Sequence, residues 1–408
     1  MDNNNNLSEG QKQAYLILQR LLQAKKEDQD YKELRAYGCI AGAFIGDSLG
    51  SYCEFENDID EKVLSDVIMK QPGGGTFNLN PGQLTDDSEV ALSLAYGLIE
   101  GEGKLDLNLI FKYYGIWILS PPFDCGITLG AAFGPSKRFI PSENWTSQQM
   151  QYQDALKHNQ QVVKQENYKS QSNGSLMRIT PLVIFCLNLS EEDTIRAVRA
   201  EIKLTHCDET LIQACISWVL VLKELINTGD AQKGFEKLKN YMKRNDCDKT
   251  LREQWYEQYV LKDEMKMIGT QNMGWLKIAW TYGLKFLKNW GIIEDKFQSF
   301  LKEGRDKMVY KTIYENLIAQ MIYLGGDTDT NACIVGGLVG AIVGLQDLPE
   351  LYLKNMLYCD VQHSNKQRHE RYAPYNAFIV CEKLLKLNKL EIIDNYFKGD
   401  KLFKDSYD

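Results

Sequence analysis

Histidine is scarce in this 408-residue chain, four in all, and none stands at ligand spacing from a cysteine. That argues against a zinc centre of the Cys/His type. The ten cysteines are scattered without a CxxC pair, several in apolar helical context where a thiol behaves as a small hydrophobe. Reduced thiols and a cytoplasmic or nuclear location are the expectation. No apolar run approaches the roughly 20 residues that span a bilayer; the longest, Ala332 to Leu345, carries four glycines. The opening MDNNNNLSEGQKQ lacks the basic start and apolar core of a signal peptide. Alternating Val/Ile/Thr runs joined by hairpin dipeptides are nearly absent, which argues against a sheet. Positive charge is in the minority, 47 Lys plus Arg against 55 Asp plus Glu for a net −8. Unaided docking to nucleic acid or to an anionic membrane is thereby disfavoured. An anionic small-molecule substrate is not, because a bound cation reverses the local sign.

What is present is a chain that is 44% hydrophobic and 11% aromatic, enough for a substantial core. Residues 1–13 read as disordered, and Ala14–Ala24 repeats apolar side chains at helical period before a charged stretch to Arg35. From Tyr37 the sequence CIAGAFIGDSLG is small and apolar and suits a tightly packed buried helix. Gln71–Gln83 is loop by its glycines and prolines. Val90, Ala91, Leu94, Ala95 and Leu98 form one stripe of an amphipathic helix. Apolar helical patterns recur at 211–226, 273–290, 317–324, 332–345 and 375–387, with no Pro/Ser/Gly-rich linker between them. The charge-rich 230–267 reads as a solvated face or insertion. The expected organisation is an N-terminal extension (1–35, partly disordered, with one amphipathic helix), one all-α domain (36–390) and a tail (391–408).

Two acidic clusters carry chemistry. Leu84-Thr85-Asp86-Asp87-Ser88-Glu89 lies where a Gly/Pro loop turns into a helix, and Gly325-Gly326-Asp327-Thr328-Asp329-Thr330-Asn331 is a glycine turn opening into another. Helix capping is the bland account of either one. One cap residue suffices per helix, however, and each cluster packs two carboxylates and a hydroxyl beside strongly apolar sequence. Carboxylates crowded near a core resist desolvation unless a cation compensates. Oxygen-only donors select hard ions, Mg²⁺ or Mn²⁺, and four aspartates suit two cations. The DxDx(T/V) loop of haloacid-dehalogenase phosphatases is a rival for Asp327 to Asn331, but Asn331 stands where Thr or Val belongs, in helical surroundings. An EF-hand fails on spacing.

Further segments complete a set: Gly46-Asp47-Ser48-Leu49-Gly50-Ser51-Tyr52-Cys53-Glu54, then Pro121-Pro122-Phe123-Asp124-Cys125-Gly126-Ile127-Thr128, Asn173-Gly174-Ser175-Leu176-Met177-Arg178 and Thr205-His206-Cys207-Asp208. In this order the chain, from about Gly38 to Gly344, resembles the ADP-ribosylglycohydrolase family, which includes the dinitrogenase reductase-activating glycohydrolases. The resemblance implies a compact single-domain orthogonal helical bundle that hydrolyses the bond between ADP-ribose and a modified acceptor. It implies metal ligation of two divalent cations, Mg²⁺ or Mn²⁺, by Thr85, Asp86, Asp87, Asp327, Asp329 and Thr330. It implies acid/base work by Glu54 in one branch and Asp124 in another, with Asp87 beside them. The loop Asn173, Gly174, Ser175, Leu176, Met177 and Arg178 and the nearby His206 correspond to substrate contacts. Asp47 reads as a helix cap or an orienter of ligands, and Arg178 either adds charge at a diphosphate or pairs with a structural carboxylate. His363 and His369 read as surface residues. An ADP-ribosylated protein or an ADP-ribose-derived small molecule is the expected partner, with no nucleic acid, no membrane and a monomeric state. The GDSLGSYCE segment resembles the branch acting on O-linkages, whereas PPFDCGIT and NGSLMR resemble the arginine-reversing branch. A catalytically inactive ADP-ribose-binding relative and a metal-dependent phosphohydrolase are the alternatives.

Overall fold

The computed structural model describes residues 7–24, 30–56, 58–134, 149–264, 274–303 and 310–387. Among these residues there is no strand, only two isolated bridges, Gly74 to Leu79 and Ser172 to Trp275. No described helix is long and apolar enough to cross a membrane. The helices are α1 (Glu9–Gln23), α2 (Tyr31–Gly50), α3 (Glu61–Lys70), α4 (Asp86–Glu100), α5 (Leu107–Leu119), α6 (Ile127–Phe133), α7 (Gln149–Glu166), α8 (Thr180–Phe185) and α9 (Glu191–Ile202). They continue as α10 (Glu209–Thr228), α11 (Ala231–Met242), α12 (Leu276–Lys288), α13 (Trp290–Glu303), α14 (Ile313–Tyr323), α15 (Thr328–Val343), α16 (Glu350–Tyr358) and α17 (Asn376–Leu387), with a wider π-helical segment, Leu251–Leu261, before α12.

The centre of the fold is the pair α2 and α15, both buried along most of their lengths. Gly38, Gly42, Gly46 and Gly50 recur every fourth residue and so share one face of α2. A Cβ added at any of them would come within 2.1 to 2.4 Å of the facing backbone, at Gly340, Gly336, Ala332 and Thr328/Asp329 in turn. α15 answers with glycine as well, since Cβ atoms at Gly336 and Gly340 would lie 2.3 and 2.0 Å from the carbonyls of Gly42 and Gly38. Because α2 residue numbers rise as α15 numbers fall, the helices run antiparallel. Each interior glycine costs about 1 kcal/mol of helix propensity relative to alanine, and the close approach of two backbones offsets that cost.

Two expectations are corrected. Order begins before residue 14: Ser8 and Gln11 form a capping box that starts α1, which buries Ala14, Ile17, Leu18 and Leu21. Within 230–267, α11 and the π-helical segment are not a solvated face, because they bury Leu238, Tyr241, Met242, Leu251, Trp255 and Val260. Residues 265–267 and 391–408 lie outside the described residues. The ten cysteines are free thiols, and eight of them are buried.

The glycine seam generates a test. Gly42→Ala places a methyl group 2.4 Å from the Gly336 carbonyl oxygen, and overpacking of this kind costs roughly 1–3 kcal/mol or more. Gly291 on α13, with nothing within 4 Å of its virtual Cβ, is the control. Urea titrations of the two variants should show a clear loss for Gly42→Ala and a neutral or slightly stabilising effect for Gly291→Ala.

Candidate functional site

The antiparallel seam puts the C-terminal end of α2 against the N-terminal end of α15, and the Thr328 hydroxyl donates to the Gly50 carbonyl there at 2.7 Å. Gly325 and Gly326, with φ of 72° and 81°, make the turn that sets Asp327 at the mouth of α15. The Gly326 carbonyl accepts from the Phe55 N–H at 3.2 Å, which ties the segment carrying Glu54 to this turn. α4 begins at the same place, so Thr85, Asp86 and Asp87 face Asp327 and Asp329.

Helix capping does not explain these side chains. Thr85 and Asp327 stand at the cap positions of α4 and α15, and neither makes a side-chain cap hydrogen bond. The cap of α4 comes from α2 instead: Asp47 Oδ2 accepts from the Ser88 N–H and both its oxygens approach the Thr85 N–H, all at 3.2 Å. The Thr85 hydroxyl lies 2.8 Å from Asp47 Oδ1 and 2.9 Å from Asp87 Oδ2. Asp47 therefore caps from a neighbouring helix, which leaves Asp86 and Asp87 to the buried carboxylate cluster.

Two groups of three carboxylates converge with their oxygens within 4.8 Å of one another: Asp47, Asp87 and Asp329, and Glu54, Asp327 and Asp329. Asp329 belongs to both. Asp86 is buried beside them and accepts weakly from the Gly126 N–H at 3.4 Å, while the half-buried Asp124 holds its own turn through the Cys125 N–H at 2.8 Å. Thr330 is buried on the first turn of α15, its N–H donating to Asp329 Oδ1 at 2.8 Å.

Burial is the largest influence on every shifted carboxyl here and it favours the protonated form. It raises Asp47 to about 6 against the hydrogen bonds from Ser88 and Thr85, and Glu54 to about 8 with help from Asp124 and Asp327. Asp86, Asp87 and Asp329 are pushed well above the ordinary range, and Asp124 is raised. The charges acting most strongly on Glu54, Asp86, Asp87 and Asp329 are other carboxylates, not lysines or arginines. Asp87 Oδ1 and Glu54 Oε2 are buried without a hydrogen-bond partner. An all-oxygen donor set with orphaned buried oxygens, whose strongest charged influences among the described residues are other carboxylates, fits a hard divalent cation.

The expected substrate loop divides in two. Asn173 reaches the cluster, its Nδ2 donating to Asp327 Oδ2 at 2.9 Å, and Gly174 is partly exposed beside it. Leu176 and Met177 are core residues, 1% and 4% exposed, and Ser175 is fully buried with its hydroxyl on the Ser172 carbonyl. Arg178 is likewise at zero exposure, paired with Glu201 at 2.8 Å, so it holds the loop from behind and does not face the cleft. His206 is a fully buried, neutral ring, its pKa driven well below the ordinary value by burial first and then by Arg178. Its nitrogens lie 2.8 Å from the Ser172 and Thr205 hydroxyls.

Sequence reasoning missed one brace. Glu89, grouped with the first acidic cluster, turns away from it and pairs with Arg368 through contacts of 2.7 and 2.6 Å, while Trp117 Nε1 donates to it at 2.9 Å. Arg368 also donates to the Pro121 carbonyl at 3.1 Å and so anchors the segment that carries Asp124. Its neighbours His363 and His369 are exposed, as expected.

The raised pKa values give a signed prediction. Carboxyls that titrate near 4 when unfolded keep their protons to about 6 for Asp47 and about 8 for Glu54 when folded. The folded state then binds more protons between those limits, so this contribution to stability is present at low pH and is lost as pH rises through the folded values. Protein in EDTA should lose Tm from about pH 4 to 8, and saturating Mg²⁺ or Mn²⁺ should raise Tm by a margin that widens with pH. A margin that is constant or shrinks with pH refutes this account.

Comparison with known proteins agrees with the geometry. The family model for ADP-ribosylglycohydrolase matches residues 27–383. A protein named as an ADP-ribosyl glycohydrolase from Acanthamoeba polyphaga mimivirus is 30% identical over 84% of this chain and 94% of its own length. The ADP-ribosyl-dinitrogen reductase glycohydrolase of Rhodospirillum rubrum is 25% identical over 79% of this chain and 90% of its own. A solved structure titled as an ADP-ribosylglycohydrolase-related protein complex superposes with a TM-score of 0.58 at 21% identity, covering 88% of this chain and 99% of that one, which is a likeness of fold. The chain belongs to the ADP-ribosylglycohydrolase family.

Proposed function

We propose that this protein is a hydrolase, dependent on two divalent cations, that removes ADP-ribose from a modified protein side chain, with arginine favoured over serine as the acceptor. The observation that carries the reading is the pair of carboxylate groups joined at Asp329, with orphaned buried oxygens and with other carboxylates as the strongest charges acting on Glu54, Asp87 and Asp329. Thr85, Asp86, Asp87, Asp327, Asp329 and Thr330 would hold the cations, Mg²⁺ or Mn²⁺, while Asp47 orients Thr85 and caps α4. Cations held there would neutralise the cluster, supply coordination for substrate oxygens and acidify water.

The remaining work falls to this chain's own groups. Cleavage of an ADP-ribosyl bond develops positive charge at the ribose anomeric carbon, while the departing group gains a proton and the attacking water loses one. Glu54, which keeps its proton to about 8, and Asp124, also raised, are the carboxyls able to hold or move a proton at the edge of the cluster, with Asp87 deeper in it. Asn173 links the substrate loop to Asp327. Gly126 and Gly174 flank the cleft at positions where a Cβ would meet no protein atom closer than 3.6 Å. Packing within the chain therefore does not demand glycine there, and the bare backbone suits close approach of a large anionic ligand. Arginine is favoured because the PPFDCGIT and NGSLMR segments resemble the arginine-reversing branch.

Asp327→Asn and Asp86→Asn should each lower kcat/KM by more than about a hundredfold while leaving thermal unfolding cooperative. Full activity in either purified variant overturns the assignment. Peptides carrying mono-ADP-ribosyl-arginine and mono-ADP-ribosyl-serine, assayed side by side with Mg²⁺ or Mn²⁺, should release intact ADP-ribose, faster from arginine. Faster release from serine reverses the acceptor assignment, and release of phosphate points to a phosphohydrolase.

A further inference from the structure

Behind the substrate loop runs a hydrogen-bonded chain that the acidic cluster does not use. Arg178 and Glu201 on α9 form an ion pair in which neither side chain is exposed. Glu201 Oε1 accepts from Arg178 Nε at 2.8 Å and from the Tyr114 hydroxyl at 2.5 Å. A buried pair of this kind is poor evidence for stability by itself, because desolvation opposes the attraction. Here the remaining guanidinium hydrogens are aimed at the loop: Nη1 donates to the Gly174 carbonyl at 2.6 Å and Nη2 to Thr205 Oγ1 at 2.8 Å. From Thr205 the chain continues to His206 Nδ1 at 2.8 Å, from His206 Nε2 to Ser172 Oγ at 2.8 Å, to Thr128 Oγ1 at 3.3 Å and to Ser170 Oγ at 2.8 Å.

The direction of the bonds from Arg178 as far as Ser172 follows from the first member. A guanidinium only donates, so the Thr205 oxygen accepts and has its own proton to place. The Ile202 carbonyl, at 3.4 Å, is too far for a good O–H···O bond, so the proton goes to His206 Nδ1. A neutral imidazole has one N–H, which then sits on Nε2 and points at Ser172. The Ser172 hydroxyl accepts from that N–H and keeps its own proton, since Thr128 Oγ1 at 3.3 Å is also beyond a good O–H···O bond, so the Ser172 proton is available to a ligand. Arg178, Glu201, Thr205 and His206 are fully buried, whereas Ser172, Thr128 and Ser170 are half-buried beside Gly126 and Gly174. The polarity runs from the interior outward to the lip of the cleft.

We propose that Arg178, Glu201, Thr205 and His206 are positioning residues that orient the Ser172 hydroxyl as a donor toward an anionic, phosphate-class group of the substrate. The proposal rests on the ADP-ribose reading, in which that group is the diphosphate. None of the four touches the ligand. They fix the Gly174 carbonyl and the Ser172 hydroxyl in one arrangement before the ligand arrives, which lowers the ordering cost of binding.

The test uses the full chain with saturating Mg²⁺ or Mn²⁺. Long-range proton–nitrogen NMR correlations on ¹⁵N-histidine protein, with the other signals assigned through His158→Gln, His363→Gln and His369→Gln, should show His206 as the Nε2–H tautomer. Thr205→Val should weaken ADP-ribose binding and raise KM on an ADP-ribosylated peptide, each roughly three- to tenfold, with kcat near wild type. Thr205→Ser, which keeps the hydroxyl, should restore both. An Nδ1–H tautomer in the wild-type protein overturns the polarity, and so does a folded Thr205→Val protein that binds ADP-ribose as tightly as wild type. A wild-type protein that binds no ADP-ribose overturns the functional reading, and the tautomer then decides the relay by itself.

Discussion

The approach of two glycine-faced helix backbones is the constraint on which the site depends. At the α2–α15 seam, carbonyl oxygens stand where Cβ atoms would otherwise be, so the helices are held at a separation and register that no larger residue permits. Register matters because both acidic elements are read from it. With Gly50 against Thr328 and Asp329, Asp47 lies one turn back along α2, close to Asp329 and to the start of α4. A displacement of one turn along the seam, about 5.4 Å, would separate the carboxylates by more than the 4.8 Å over which they now converge. The glycines are thus as much a part of the site as the aspartates.

That register brings together two helix N-termini, and the geometry has an electrostatic consequence. The positive ends of α4 and α15 favour nearby anions, but each is worth only about 1 kcal/mol, well short of the desolvation that raises Asp86, Asp87 and Asp329. The capping duties that such residues normally perform are reassigned. Asp47 caps α4 from the neighbouring helix, and Thr328 ties its turn to Gly50. Carboxylates released from capping and lacking basic partners are free to bind something else, at the cost of mutual repulsion until they do.

Much of this was legible in the sequence because the informative residues are contiguous. Thr85 to Asp87 and Asp327 to Thr330 each form one turn of chain, and the fourfold glycine spacing from Gly38 to Gly50 announces a close-packed helix. At the motifs the differences have one cause, that a linear motif does not say which way a side chain points. Within NGSLMR, Asn173 reaches the cluster while Leu176, Met177 and Arg178 turn into the core. Glu89 follows the acidic triplet by half a turn and faces the opposite way, toward an arginine 279 residues later. In 230–267 the charges share a helix with Leu238, Tyr241 and Met242, which recur at helical spacing and are buried. The S-x-x-Q of Ser8 and Gln11 is a capping box inside the polar opening segment.

The buried ion pairs show why such residues end up in the core. Arg178–Glu201 and Arg368–Glu89 stand behind two different loops, and each arginine directs spare donors to a backbone carbonyl of its loop, at Gly174 and at Pro121. An apolar replacement of equal volume would fill the same space and avoid desolvation, but it could not hold a carbonyl in place. A loop without regular structure has few ways to fix its backbone groups. A donor-only, planar, permanently charged side chain anchored on a carboxylate is well suited to the task. The two loops that carry Asp124 and Asn173 are therefore held from behind by structure buried in the core, which leaves their front faces free for a ligand.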